Sequence, residues 1–331
     1  MISGHEQELI YQPTPVDVAA EQFLKDVKSG LTAKPKKLSS KYFYDKNGDA
    51  LFQQIMQLPE YYLTRSEMDI FQNKTADLAR AIGKAPFDLI ELGAGDGSKT
   101  IHLLEHLSNQ AAEFTFMPID ISGNILMSLN DQLKAQIPKL SIKCLKGDYF
   151  AMLDEAVKIS VRRKVVLMLG GNIGNMNKDE ASAFCQILFK KLSPGDLVIM
   201  GFDLKKNPST ILKAYDDSKG ITAAFNLNLL GRINRELGAN FNLDQFEHYQ
   251  TYDPISGDCK SFLVSMEKQQ VNQGGNVYRF EKDEVIFMEV SRKFALAEIE
   301  QLASASGFVC SNFIFDSKGW FSDVVWEVPA H

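Results

Sequence analysis

The sequence predicts an α/β protein built on a mostly parallel sheet, and three observations carry that prediction. From residue 87 onward, short strand-like stretches alternate with helix-like ones. Several of the strand-like stretches are nearly unbroken apolar runs, the pattern of strands covered by helices on both faces. A glycine cluster, Gly93, Gly95 and Gly97, closes the first of them and opens a helix.

FDLIELG (87–93), bounded by Pro86 and the glycines, reads as the first strand. SKTIHLLEHL (98–107) has helical spacing, FTFMPID (114–120) is the second strand, and a helix is expected from Ser122 to Ala135. SIKCLKGD (141–148) and KVVLMLG (164–170) follow as strands, with helices near 149–158 and over 178–192, and DLVIMGF (196–202) is the fifth strand. The rhythm breaks after Asp203. Helices around 208–218 and 221–238 precede the strand-like KSFLVSM and EVIFMEV. FALAEIEQLASASG (294–307) is a helix ending in glycine, and FVCSNFIFD and WFSDVVWEV are two strands joined by the turn DSKG. The expected architecture is a Rossmann-like parallel sheet finished by an antiparallel hairpin. One domain spans 62–203 plus 290–331, and a second, smaller one spans 20–61 plus 204–289. The stretch before about residue 61 has no expected place in the large sheet and is expected to pack with the insertion.

Composition narrows the function. The 331 residues are 45% hydrophobic and 24% charged, ordinary for a soluble protein able to bury a full core. Lys plus Arg number 36 against 42 Asp plus Glu, a net charge of -6, which argues against sequence-blind binding of nucleic acid. The short basic runs KPKK (34–37) and RRK (162–164) read as solvated loops. Cys144, Cys185, Cys259 and Cys310 form no CxxC pair, which argues against zinc and a disulfide framework and suits a reducing cytoplasm. MISGHEQELIYQ has neither a basic nor an apolar region of a signal peptide, and no apolar run approaches the roughly 20 residues of a membrane span. His102 and His106 share a helix face without a third ligand, so no metal site is expected. A cytoplasmic protein is expected, with a small-molecule substrate and no nucleic-acid, membrane or obligate protein partner.

The glycine turn says which small molecule. Glu91-Leu-Gly-Ala-Gly-Asp-Gly-Ser-Lys-Thr100 has GxGxG spacing, and Ser98 stands where a dinucleotide fingerprint needs glycine. The next strand ends in Asp120, placed to accept hydrogen bonds from ribose hydroxyls. The third ends in Gly147-Asp148-Tyr149-Phe150, where a carboxylate can meet an adenine amino group and a ring can pack on the base. Acids at successive strand ends suit S-adenosylmethionine, which has no phosphate and carries a sulfonium cation. Nicotinamide or flavin nucleotides and a non-catalytic Rossmann domain are the alternatives.

These residues resemble the bacterial histidine Nα-methyltransferases of ergothioneine biosynthesis. The likeness runs from about Leu38 to Trp326 and includes KYFYDKNGDALFQQIMQLPEYYLTR (41–65), ELGAGDGSKT (91–100), PIDIS (118–122), GDYF (147–150), GGNIGN (170–175), AYDD with ITAAFN (214–226), and MEVSRKF (288–294). The resemblance implies a class I methyltransferase domain with a separate substrate-binding domain. It implies that Gly93, Lys99, Asp120, Asp148 and Tyr149 line the adenosylmethionine site, and that Tyr44, Tyr61, Asn175, Tyr215, Glu289 and Ser291 line the amino-acid site. Within the latter, Asn175 and Tyr215 are implied to hold the substrate carboxylate, Glu289 and Ser291 the imidazole, and Tyr61 to orient the amino acid; Tyr44 and Tyr61 are the candidate catalytic pair. Where the family usually has serine-threonine this chain has Gly171-Asn172, and Lys260-Ser261 aligns with a usual glutamate-methionine pair.

Methyl transfer from a sulfonium to an amine is an in-line displacement that needs alignment and exclusion of water, with no Ser-His-Asp constellation. The amine must be neutral, and a carboxylate, a tyrosine or water can take its proton. Glu289 and Ser291 lie two apart, so a strand points both to one side. The expected activity is adenosylmethionine-dependent N-methylation of the α-amino group of a free amino acid, histidine first. The alternatives are another small amine or aromatic amino acid, or a non-catalytic adenosylmethionine-binding partner protein.

Overall fold

In the computed structural model, which describes residues 10–11 and 16–330, four helices precede the first long strand: α1 (Val16–Thr32), α2 (Lys46–Gln57), α3 (Leu63–Asn73) and α4 (Thr75–Ile82). Strand and helix then alternate through β1 (Phe87–Leu92), α5 (Thr100–Asn109), β2 (Phe114–Asp120), α6 (Gly123–Gln136), the short β3 (Leu145–Lys146) and α7 (Tyr149–Ile159). The alternation continues with β4 (Arg163–Met168), α8 (Lys178–Lys191) and β5 (Leu197–Asp203). Next come α9 (Pro208–Tyr215), α10 (Ile221–Leu237) and the antiparallel strands β6 (Phe246–Tyr252), β7 (Asp258–Ser265) and β8 (Val285–Arg292). After them lie α11 (Leu296–Ser306), β9 (Val309–Phe315) and β10 (Phe321–Glu327).

These elements fall into two units. One holds residues 63–204 and 294–330 with the two-residue strand Ile10–Tyr11; the other holds residues 16–62 and 205–293. The return to the first unit comes after Lys293, later than the sequence pattern suggests. β8 keeps its ladder with β7 as far as Arg292, and the Lys293 amide donates to the Gly257 carbonyl at 2.8 Å.

The large sheet of the first unit has the order β3-β2-β1-β4-β5-β10-β9. Strands β1 to β5 run parallel, β10 lies antiparallel to β5, and β9 lies antiparallel to β10. This is the class I methyltransferase topology. Every residue of β1 and β5 is buried, because successive side chains enter cores on opposite faces. Ile90, Met168 and Trp326 belong to one core, and Leu89, Leu167 and Val325 to the other.

Three sequence expectations need correction here. SIKCLKGD is not one strand. It makes two-residue ladders at Ser141–Ile142 and Leu145–Lys146, because the pairing lapses at 143–144, opposite Pro118 of β2, which has no N–H to donate. The N-terminal stretch does have a place in the sheet, since Ile10 and Tyr11 pair in parallel with Leu145 and Lys146 at its edge. The rest of MISGHEQELIYQ, read as carrying no signal peptide, lies outside the described residues. Neither basic run is simply a solvated loop. Lys36 and Lys37 form a short strand against β8, with Lys36 paired to Glu284. Lys164 is buried on β4, where its Nζ lies 2.8 Å from Asp88 and donates to the carbonyls of Ser160 at 2.9 Å and Arg162 at 2.7 Å.

In the second unit, β6, β7 and β8 form a sheet whose alternation is plain in β7, where Cys259, Ser261, Leu263 and Ser265 are buried and the residues between them are partly exposed. Its core joins Phe23 of α1, Ile55 of α2 and Leu229 of α10 to Leu263 and Met288 from the sheet. No helix among the described residues is long and apolar enough to cross a membrane.

The buried pair on β1 and β4 makes a stability prediction. Asp88→Ala leaves the Lys164 cation buried without its counter-charge and should destabilise the protein by about 3–5 kcal/mol. The loss is read from the denaturant midpoint and should shrink when Lys164→Met is added.

Candidate active site

The turn between β1 and α5 depends on glycine. Gly93, Gly95 and Gly97 have φ of 74°, 55° and 65°, a region L side chains rarely enter. A Cβ on Gly93 would lie 2.6 Å from the Tyr149 hydroxyl, so that ring can reach the turn only because residue 93 has no side chain. Asp120, the last residue of β2, accepts from the Gly95 amide at 3.2 Å and the Ser122 amide at 2.8 Å. It braces the turn and still has acceptor capacity, since a carboxylate offers about four lone-pair positions. Asp148 is exposed and caps α7 by accepting from the amides of Phe150 at 3.0 Å and Ala151 at 3.2 Å. Of the two following aromatics, Phe150 turns inward against Phe184 at 4.9 Å while Tyr149 stays half-buried. Burial, then the charges of Asp120 and Asp148, raise the Tyr149 pKa, so its hydroxyl stays a neutral donor.

The same unit buries a set of charges. Lys99, just before α5, is ion-paired with Glu67 of α3. Burial opposes the lysine's charge, but Glu67 outweighs it and raises the pKa. Glu67 also accepts from the Gly170 amide on both oxygens, at 2.7 and 2.9 Å. Glu91 accepts from the Thr100 hydroxyl at 2.7 Å, yet burial pushes its pKa up to about 8. Asp323 of β10 has no exposed surface, and burial followed by the Glu67 charge raises its pKa well above the carboxylate range.

In the second unit, Tyr44 is exposed, with its ring edge-on to Phe52 at 5.5 Å and Phe225 at 5.6 Å. The Tyr61 ring lies 6.3 Å from Phe52 and 6.1 Å from Tyr215. Its pKa is raised well above that of a free tyrosine by burial and then by Tyr215 and Tyr44, which keeps its hydroxyl protonated. Tyr215, closing α9, has its hydroxyl 2.7 Å from that of Ser291 on β8, and Lys293 Nζ lies 2.6 Å from the first and 2.9 Å from the second. Two residues back along β8, a Glu289 oxygen lies 3.4 Å from the Ser261 hydroxyl, whose single proton is shared with Gln250 Oε1 at 2.7 Å. Burial pushes the Glu289 pKa up to about 7 against the opposing effects of Ser261 and Lys293.

The structure thus gathers Gly93, Asp120, Asp148 and Tyr149 in the first unit, with Lys99 committed to Glu67. It gathers Tyr44, Tyr61, Tyr215, Glu289 and Ser291 in the second. Asn175 is exposed at the end of a short 3-10 turn, Asn172–Asn175, and belongs to the first unit. Other motif residues hold the frame. Asp217 of AYDD caps α10 through the amides of Ile221 at 3.0 Å and Thr222 at 2.7 Å, while Phe43 is fully buried and the Tyr42 hydroxyl donates to Asp26 at 2.8 Å. Sequence reasoning missed Glu67, Asp323, Gln250 and Lys293. For Lys293 a signal existed, because the period of two that joins Glu289 to Ser291 continues to residue 293. For Asp323 the signal was an acid inside the apolar run of its strand.

Comparison with known proteins matches residues 23–328 to the family described as histidine-specific, SAM-dependent methyltransferases. The histidine N-alpha-methyltransferase of Mycolicibacterium smegmatis is 35% identical over 307 residues, covering 92% of this chain and 94% of that protein. Ergothioneine biosynthesis protein 1 of Neurospora crassa is 30% identical over 281 residues, 82% of this chain and 31% of that one. The L-tryptophan methyltransferase of Psilocybe serbica is 26% identical over 322 residues, with 86% of each chain covered.

Glu91 makes stability depend on pH. Its folded pKa of about 8 lies above the unfolded value near 4.3, so between them the folded state binds the extra proton and stability falls as pH rises. Glu91→Gln removes that titration. Its melting temperature should gain on the wild type between pH 5 and pH 8, by a few degrees or more; parallel curves over that range would place the titration elsewhere.

Proposed function

The chain belongs to the family of S-adenosylmethionine-dependent, histidine-specific methyltransferases, and we propose that it methylates the α-amino group of free L-histidine. The observation that supports this reading most is the second unit's combination of Glu289, an acceptor for a ring N–H, with the hydroxyl of Tyr215, a donor for a carboxylate, joined on the same strand side by Ser291. The residues at the glycine turn fit adenosylmethionine. The left-handed glycines keep the backbone open to a ligand, Asp120 retains acceptor capacity for ribose hydroxyls, and Tyr149 and the exposed Asp148 stand beside them. When bound, adenosylmethionine supplies an electrophilic methyl group on a sulfonium.

The chain's own residues have three tasks. They hold the amino acid by its carboxylate, fix its ring, and let the amine lose a proton, because only the neutral amine attacks. Tyr215 serves the first task and Glu289 the second, with Asn175 and Ser291 as further ligands. Tyr61 stays protonated, so it orients the amino acid by donating a hydrogen bond rather than acting as a base. Tyr44 extends the same aromatic wall. Positioning of this kind is the main source of acceleration in a displacement that needs no covalent intermediate. An aromatic amino acid is the second reading, in view of the similarity to the tryptophan methyltransferase. The half-buried Gln250–Ser261–Glu289 chain favours histidine, because an apolar ring covers the carboxyl without offering it a partner. We also infer a cytoplasmic location, in keeping with four cysteines that form no disulfide, and a reaction needing no nucleic acid, membrane or obligate protein partner.

The test is competition among the twenty amino acids at equal concentration with adenosylmethionine, read by product mass. Histidine should dominate, and Glu289→Ala should depress it while sparing phenylalanine and tryptophan. Better methylation of tryptophan by the wild type would refute histidine and leave the reaction type standing. The ratio of wild-type to Glu289→Gln kcat/KM for histidine should rise as pH passes about 7, where the carboxyl becomes the stronger acceptor. On the cofactor side, Asp120→Ala should weaken adenosylmethionine roughly 10- to 150-fold in calorimetric titration. NAD should not bind.

A further inference from the structure

Lys293 stands just past the last ladder residue of β8 and has no exposed surface. A lysine side chain carries three donors and no acceptor, so burying it requires oxygens gathered around Nζ. Two of them are the hydroxyls of Tyr215 at 2.6 Å and Ser291 at 2.9 Å, and the Tyr215 ring centre lies 4.5 Å away. Those hydroxyl oxygens are 2.7 Å apart.

The proton arrangement follows from the donor count. Lysine only donates, so each hydroxyl oxygen accepts from Nζ. One hydroxyl proton fills the bond between Tyr215 and Ser291, and the other is directed to an acceptor that is not Lys293. Tyr215 and Ser291 keep 7% and 8% of their surface while Lys293 keeps none, so the two hydroxyl-bearing residues are the outer members of the cluster and the cation lies behind them. A proton donor backed by positive charge has an anion as its complement.

We propose that Lys293 is a positioning residue for the substrate's α-carboxylate. It orients the Tyr215 hydroxyl, which it holds together with Ser291, toward that group and supplies the charge behind it, without touching the substrate itself. The inference rests on the amino-acid methyltransferase reading and adds to it the means by which the enzyme selects an amino acid over the corresponding amine.

The test uses the full-length protein with Lys293→Met, Lys293→Arg, Tyr215→Phe and the Lys293→Met/Tyr215→Phe double variant. Histidine is the substrate. Histamine, which keeps the ring and an amine but has no carboxylate, is the competitor. Lys293→Met should raise KM for histidine roughly 10- to 100-fold while kcat moves only a few-fold. The inhibition constant of histamine and the affinity for adenosylmethionine should stay within about three-fold of wild type. Lys293→Arg, which keeps the charge and the donors, should restore most of the histidine affinity. With Tyr215→Phe already present, Lys293→Met should add less than it does alone. A folded Lys293→Met enzyme with unchanged KM overturns the proposal. So does an equal loss for histidine and histamine. If Lys293→Met does not fold, Lys293→Gln takes its place and is judged by the same split. A wild-type enzyme that methylates no amino acid overturns the functional reading and this inference together. Wild-type activity on histidine with no effect at Lys293 overturns the inference alone.

Discussion

A carboxylate with 1% of its surface exposed must find its counter-charge and its donors inside the protein, and at Glu67 that requirement ties several turns together. Its partners are the Lys99 ammonium, where the glycine turn passes into α5, and the Gly170 amide, just beyond β4. One side chain on α3 therefore links the turns leaving β1 and β4. It also restricts β5, because a Cβ on Gly201 would sit 2.5 Å from a Glu67 oxygen. Opposite Gly201 in the ladder stands Asp323, whose carboxyl is kept neutral by burial and by the charge of Glu67. Two acids share this space because one gives up its charge and the other holds a lysine.

The second unit meets the same demand differently. Its buried and half-buried polar groups are joined in two short chains, Gln250–Ser261–Glu289 and Lys293–Tyr215–Ser291, which the proposed function uses to hold the amino acid. The glycine turn needs backbone freedom and one bracing carboxylate, while the amino-acid side needs side chains whose orientation is set beforehand. Such preorganisation places the cost of ordering in folding rather than in binding or reaction.

The large sheet was legible because its code is repetitive. Apolar runs such as DLVIMGF, closed by glycine or acid, announce buried parallel strands, and they lie where the residues place them. The third strand was overread, because its own periodicity cannot reveal that the neighbouring strand sets Pro118, which has no N–H, against its middle. The Lys164 run was underread, because a basic triplet looks solvated until the fold sets an aspartate 76 positions away against it. The glycine turn, Asp120 and Asp148 were legible from spacing and position alone. Tyr215, Glu289 and Ser291 stood out only through family resemblance, since an acid on a half-exposed strand is ordinarily a surface residue. Glu67 escaped because its role lies in tertiary pairing, which local sequence does not encode, whereas Lys293 was within reach of the period of two that runs on from Glu289 and Ser291.

On the proposed function, the choice of ring follows from Glu289. Burial lifts Glu289 to a pKa of about 7, close to the value of about 6.5 for an imidazole. Near neutral pH, each group is then close to the balance point between its two protonation states. An ionised Glu289 accepts from a ring N–H, and a protonated one donates to a bare ring nitrogen, so a complementary hydrogen bond is available to the pair in either arrangement. Ser261 and Gln250 hold the carboxyl in place whichever form it takes. A phenyl ring offers neither donor nor acceptor and leaves the desolvated acid unmatched. Sites built to hydrogen-bond a polar group reject analogues lacking it by about 10⁴- to 10⁵-fold, whereas a methylene of misfit in an apolar pocket costs only about 10- to 200-fold. On the proposed function, discrimination of the larger kind is available because the selecting group is an acid whose ionised form burial already disfavours.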